Sequence, residues 1–203
     1  MIHPSYPSVE EIIALMKAPS RADQELIRKA YVFAEKAHEG QKRYSGEPYF
    51  NHVAHVGSDL AQIHIDAVTI AAGLLHDTIE DAGTLPETIE KEFSKEILTR
   101  VEGVTKLGKL RYRGVERHVE SLRKFFIAMS NDIRVLLIKL ADRLHTIQTL
   151  EHVPEAKRHR IALETLEIHA RLADRFGMGK WKAIFEDAAF PYAHPKEYGQ
   201  VLN

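Results

Sequence analysis

Four side chains able to bind a metal or carry a proton, His76, Asp77, Glu80 and Asp81, fall within six residues of the run Leu74-Leu75-His76-Asp77-Thr78-Ile79-Glu80-Asp81. On a helix, His76 and Glu80 lie one turn apart, as do Asp77 and Asp81, so the segment presents one polar stripe. Two adjacent ligands cannot hold a catalytic ion alone, and the stripe predicts further imidazole and carboxylate ligands elsewhere in the chain. His52 is one candidate, just after a turn-like Ser45-Gly46 and Pro48, a residue suited to a helix start. Asp142 is another, because it interrupts the apolar run Val135 to Leu144 and a charge there needs a partner. That partner is a metal, or else Arg134 or Arg143; His52 is correspondingly a ligand or a plain first-turn histidine. Together His52, His76, Asp77 and Asp142 make a mixed nitrogen and oxygen set that suits manganese, iron or zinc better than magnesium. The chain has no cysteine for a soft structural zinc site.

Glu80 and Asp81 are the second constellation. Water activated at an ion needs a carboxylate nearby to take and return protons. The plain alternative, a solvated acidic helix end, is unfavourable at the negative pole of the helix dipole.

These residues need a scaffold, and the hydrophobic pattern supplies helices. Apolar residues recur at helical spacing over about 8–17, 22–39, 49–64, 66–82, 86–102, 116–129, 132–150, 155–174 and 178–189, and nothing alternates over a strand length. Glycine and proline, including Pro191, are read as punctuation between these segments. The expectation is an all-α fold, a single compact multi-helix bundle over residues 1–203, with no linker or repeat. That length buries a sizeable core without disulfides. With 28 basic against 29 acidic residues, a bulk electrostatic grip on nucleic acid is not expected. No stretch reaches the roughly 18 apolar residues of a membrane span, and the N-terminus does not read as a signal peptide. A cytoplasmic protein is the expectation.

Ala34 to Arg43, Ser45 to Tyr49 leading into His52, Leu74 to Asp81, Val101 to Leu107, Lys139 to His145 and Glu164 to Ile168 stand in one order across about residues 22–198. In these segments the chain resembles the hydrolase domain of the RelA/SpoT alarmone enzymes, within the HD-domain phosphohydrolase superfamily. The resemblance implies an HD-domain bundle and a single divalent ion, manganese ahead of zinc or iron, held by His52, His76, Asp77 and Asp142. It also implies that Glu80 orients or deprotonates water with Asp81 in support. Arg43 would stack on guanine, with Tyr44, Ser45, Thr146 and Thr149 near the nucleotide. Tyr44 stands where the family usually has Lys, Thr146 where it commonly has Asn, and Val53 where Pro usually follows the metal-binding His. Lys106 and Arg160 are basic residues that could meet the substrate's diphosphates, or be surface charges on amphipathic helices.

The expected activity is hydrolysis of guanosine 3′,5′-bis(diphosphate) and its pentaphosphate relative at the 3′ position, releasing pyrophosphate. One rival is an HD phosphohydrolase of another nucleotide or of a 3′-phosphorylated cofactor such as NADPH, which the departures at Tyr44 and Thr146 keep open. A second is a non-catalytic alarmone sensor. The chain reads as a stand-alone hydrolase or as part of a longer enzyme with a covalently linked synthetase domain.

Overall fold

Ser8 and Ser20 each accept a backbone N–H three residues on, while Glu11 and Asp23 reach back to the Ser backbone N–H. These reciprocal caps start α1 (Val9–Leu15) and α2 (Arg21–Ala37) by satisfying first-turn donors that have no partner inside the helix. In the computed structural model, which describes residues 6–108 and 132–201, the chain continues as α3 (Phe50–Gln62), α4 (Ala67–Leu75), α5 (Pro86–Glu92) and α6 (Lys95–Gly108). Beyond residue 131 come α7 (Ile133–Gln148), a short 3-10 turn (Leu150–His152), α8 (Glu155–Glu164), a π-helical stretch (Thr165–Ala170), α9 (Arg171–Arg175), α10 (Gly179–Ala193) and α11 (Pro195–Val201). The described residues hold no strand beyond an isolated antiparallel bridge between Lys42 and Pro48, so the fold is all-α. The helix expected over 116–129 lies outside the described residues.

Three segments differ from the hydrophobic pattern. The helix expected over 66–82 ends as an α-helix at Leu75 and passes into consecutive turns through Asp81, with Thr78 N–H donating to the Leu75 carbonyl at 3.0 Å. The stretch 86–102 splits in two, because Ser94 accepts the Ile97 N–H through its hydroxyl and the Leu98 N–H through its carbonyl, opening a new helix. Pro191 lies inside α10, two residues before its end, and α11 falls where no helix is expected.

The helices pack around the middle of the chain: α4 against α2, α3 and α6, and α3 against α4 and α7. Ile27, Leu60, Ile70, Leu74, Leu136 and Ile138 of these helices are fully buried, as are Ile12 of α1 and Phe185 of α10. The side of the bundle formed by the start of α3, the end of α4 and the middle of α7 carries the residues discussed next.

Candidate metal centre

His52 sits in the first turn of α3, His76 directly after α4, and Asp142 in the middle of α7. Their ligand atoms lie within 4.8 Å of one another, with both histidines buried. His52 Nε2 is 3.2 Å from Asp142 Oδ1 and 3.7 Å from Asp77 Oδ2, and His76 Nε2 is 3.0 Å from Asp77 Oδ2. Atoms each about 2.1 Å from one ion are separated by roughly 3–4 Å, so these spacings are those of side chains sharing a cation.

The chemistry of the donors fits as well. His76 Nδ1 donates to the Gly73 carbonyl at 2.8 Å, which leaves Nε2 as the atom facing the cluster. Nε2 is buried and makes no hydrogen bond, although Asp77 Oδ2 is close, so the two groups lie side by side rather than along a shared N–H direction. Burial alone would push the His76 imidazole down, but Asp77 and Asp142 overcome it and push it up to about 9. That field draws positive charge to this nitrogen. Burial disfavours the Asp77 charge too, yet His76 and His52 hold the carboxyl below its ordinary range. Asp142 is likewise lowered against its burial, chiefly by Lys139. Lys139 donates to Asp142 Oδ2 at 2.6 Å, leaving Oδ1 toward His52. Asp142 thus has a lysine partner as well as the cluster, whereas Arg134 pairs with Asp132 and Arg143 with Glu164.

Tyr49, absent from the residues singled out in the sequence, joins the ligands to the acidic pair. Its hydroxyl bridges Asp77 Oδ2 and Asp81 Oδ2, 2.7 Å from each. Its ring stacks on His38 at 4.8 Å, and burial, with the two carboxylates, raises the phenol above its usual range so that it stays a donor. Asp81 is therefore tied to Asp77, beside the candidate ligands, through one hydroxyl. Glu80 is exposed and has no hydrogen bond or ion pair among the described residues.

Residues 41–49 form a tight turn in which Arg43 N–H donates to Glu47 O at 2.9 Å and Gly46 N–H to Arg43 O at 3.0 Å. Gly46 has φ of +86°, a backbone shape that favours glycine. The turn sets Arg43 beside the cluster, with Nη1 3.2 Å from His145 Nδ1 and the guanidinium 6.0 Å from the Tyr49 ring centroid. Tyr44 is exposed at 63%, with Lys157 Nζ 3.1 Å from its hydroxyl. A cation thus reaches the aromatic side chain that stands where the resembled family has lysine. Ser45 Oγ lies 3.4 Å from Glu47 Oε2. Thr146 Oγ1 donates to the Asp142 carbonyl at 2.9 Å, and Thr149 Oγ1 to the His145 carbonyl at 2.9 Å, so both lie on the helix that carries Asp142. Lys106 and Arg160 are not brought to the ligands by any contact: Lys106 pairs with Glu102 at 3.7 Å and Arg160 with Glu164 at 3.4 Å. Among the described residues no helix is long and apolar enough to cross a membrane.

The sequence matches the HD domain family over residues 30–179. It is 46% identical over 180 residues to a GTP pyrophosphokinase of Myxococcus xanthus, covering 87% of this chain and 24% of that protein. It is 43% identical over 196 residues to a guanosine-3′,5′-bis(diphosphate) 3′-pyrophosphohydrolase of Aquifex aeolicus, covering 97% of this chain and 28% of that protein. The chain thus spans about a quarter of the length of these relatives. Its fold also matches the solved structure of a metazoan ortholog of SpoT that hydrolyzes ppGpp, at 23% identity and a TM-score of 0.60, over 88% of this chain and 98% of that one. With the His52, His76, Asp77 and Asp142 cluster inside the matched region, the chain belongs to the HD domain family and matches its RelA/SpoT members.

Proposed function

We propose that this chain hydrolyses guanosine 3′,5′-bis(diphosphate), and its pentaphosphate relative, at the 3′ position, releasing pyrophosphate and GDP or GTP. The observation that carries a hydrolytic reading is the convergence of His52, His76 and Asp142, with Asp77 beside them, around a buried His76 Nε2 that makes no hydrogen bond. The choice of nucleotide follows the Aquifex relative, which carries that activity in its name. Manganese is the proposed ion, held by His52 Nε2, His76 Nε2, Asp77 and Asp142 Oδ1. When bound, such an ion supplies Lewis acidity toward the phosphoryl oxygen and lowers the pKa of water.

The chain's own groups do the rest. Arg43, fixed beside the cluster, offers a flat cationic face for guanine. Tyr44, Ser45, Thr146 and Thr149 line the approach to the nucleotide. Glu80 faces solvent and takes the proton of the attacking water, while Asp81, anchored through Oδ2 to Tyr49, keeps Oδ1 to support it. Lys106 and Arg160 would meet diphosphate only by leaving their present ion pairs. A cytoplasmic setting suits such a substrate, and the length of the relatives suits a synthetase domain linked to this one in a longer polypeptide.

Asp77→Ala tests the centre. Manganese-dependent pyrophosphate release should fall to background while the helical content stays as in the parent. Unchanged release in the variant would overturn the mechanism.

A further inference from the structure

We infer that His145 is a positioning residue that holds the ligand His52 with its proton on Nδ1 and keeps Arg43 in place through a single ring nitrogen. For the seating of the nucleotide this rests on the function proposed above; for the tautomer of His145 it rests on geometry alone.

His145 lies on α7 three residues after Asp142, one helical turn along the same face, and is only 7% exposed. Its Nδ1 is 3.2 Å from Arg43 Nη1 and 3.1 Å from His52 Nδ1. A guanidinium carries donors and no acceptor, so the nitrogen facing it must offer a lone pair. His145 Nδ1 is thereby an acceptor, and the ring proton sits on Nε2. With an ion on its Nε2, His52 carries its proton on Nδ1, and that N–H, 3.1 Å away, shares the one lone pair of His145 Nδ1 with Arg43. A neutral His52 with its proton on Nδ1 has its lone pair on Nε2, the atom 3.2 Å from Asp142 Oδ1 and 3.7 Å from Asp77 Oδ2. One arginine, supplied by the turn at residues 41–49, thus dictates the tautomer of His145, whose lone pair keeps His52 Nε2 aimed at the cluster.

The ring of His145 is held for this task. It stacks on His55, with centroids 4.7 Å apart and planes inclined by 24°, and Thr149 Oγ1 holds its backbone carbonyl. In return His145 restrains the edge of the Arg43 guanidinium, whose face stays available for a planar ring. Groups that hold the far nitrogen of a ligating histidine typically change metal affinity by about 10–100-fold when removed. His145 differs from most of them in also touching a residue assigned to the substrate, so one substitution should move two separate readouts.

The experiment compares His145→Leu and His145→Asn with the parent. Asn places an amide oxygen near the position of Nδ1 and can accept both bonds; Leu fills the volume and accepts neither. Manganese is titrated into the chelator-stripped proteins, KM and kcat are measured on the guanosine alarmone, and 15N imidazole spectra are recorded with diamagnetic zinc added. The Leu variant should bind manganese about 10–100-fold more weakly and show a raised KM, and the Asn variant should recover most of both. The parent spectra should show the proton of His52 on Nδ1 and that of His145 on Nε2. Parent-like manganese affinity in His145→Leu, or a His145 proton on Nδ1, would overturn the inference. If the Leu variant does not fold, the parent spectra and the Asn variant still decide it. If the parent does not hydrolyse the alarmone, the proposed function falls, while manganese affinity and the spectra still judge His145.

Discussion

Glu80 and Asp81 are neighbours in sequence and stand in different surroundings: Glu80 is exposed and unpaired among the described residues, while Asp81 is pinned by the hydroxyl that also holds Asp77. If both handle protons rather than metal, Glu80→Gln and Asp81→Asn should each lower kcat by about 10²–10⁴-fold and leave manganese affinity nearly unchanged. A loss of metal binding in either variant would reassign that residue. Asp59, on α3 and away from the ligands, gives a separate test in stability. Burial pushes its carboxyl up to about 7, only partly offset by Lys180. A carboxyl raised in the folded state is harmless below about pH 4, where both states are protonated, and its cost grows as pH rises toward 7. Asp59→Asn should therefore stabilise the protein by about 1–3 kcal/mol at pH 8 and leave it unchanged near pH 4, as read by thermal melts. The side chains that converge in the candidate centre were legible because His76 and Asp77 are adjacent and Asp142 breaks an apolar run. Tyr49, Lys139 and His145 were not, because their roles are set by contacts; His145 meets His52 and Arg43 across 93 and 102 residues of sequence.

Helix α3 carries His52 and α4 leads directly into His76, and the close approach of the two helices depends on glycine. A Cβ on Gly73 of α4 would lie 2.3 Å from Leu60 Cδ1 of α3, and one on Gly57 of α3 would lie 2.6 Å from Leu74 Cδ2 of α4. Each glycine receives a leucine from the other helix, and both leucines are fully buried with little room to move. Gly73→Ala should destabilise the fold by about 1–3 kcal/mol, because an added methyl forces a packed side chain or a helix to shift. It should also weaken manganese binding, since the Gly73 carbonyl accepts from His76 Nδ1. Chemical denaturation and metal titration check the two effects, and an alanine variant as stable as the parent would contradict this packing account. Most helices were legible from apolar spacing, and their ends were not. A run such as 66–82 keeps helical spacing after the α-helix has stopped at Leu75, because turns with similar local geometry preserve the period. Ser94 was a readable cap, but the apolar residues on either side of it mask the break.

Across the whole molecule, His52, the His76-Asp77 pair and Asp142 come from three separate elements, α3, the turns after α4, and α7. An ion held among them would tie the bundle together, and anything that binds only the folded state stabilises it by mass action. Manganese at about a hundred times its dissociation constant should add about 2.7 kcal/mol, or roughly 5–10 °C in Tm for a domain of this size. Asp77→Ala should remove that rise, and a metal-independent Tm in the parent would contradict a shared site. The all-α architecture and the family were legible in the sequence because ordered motifs cover most of the chain. The choice between a stand-alone hydrolase and one linked to a synthetase domain was not, since this chain spans about a quarter of the length of its relatives. Metal-dependent hydrolysis of the 3′-diphosphate is tested by pyrophosphate release from guanosine 3′,5′-bis(diphosphate) by chelator-stripped protein, with manganese, zinc or magnesium added back. Rapid release restored by manganese, and absent in Asp77→Ala, is the predicted result; no release despite confirmed manganese binding would contradict it.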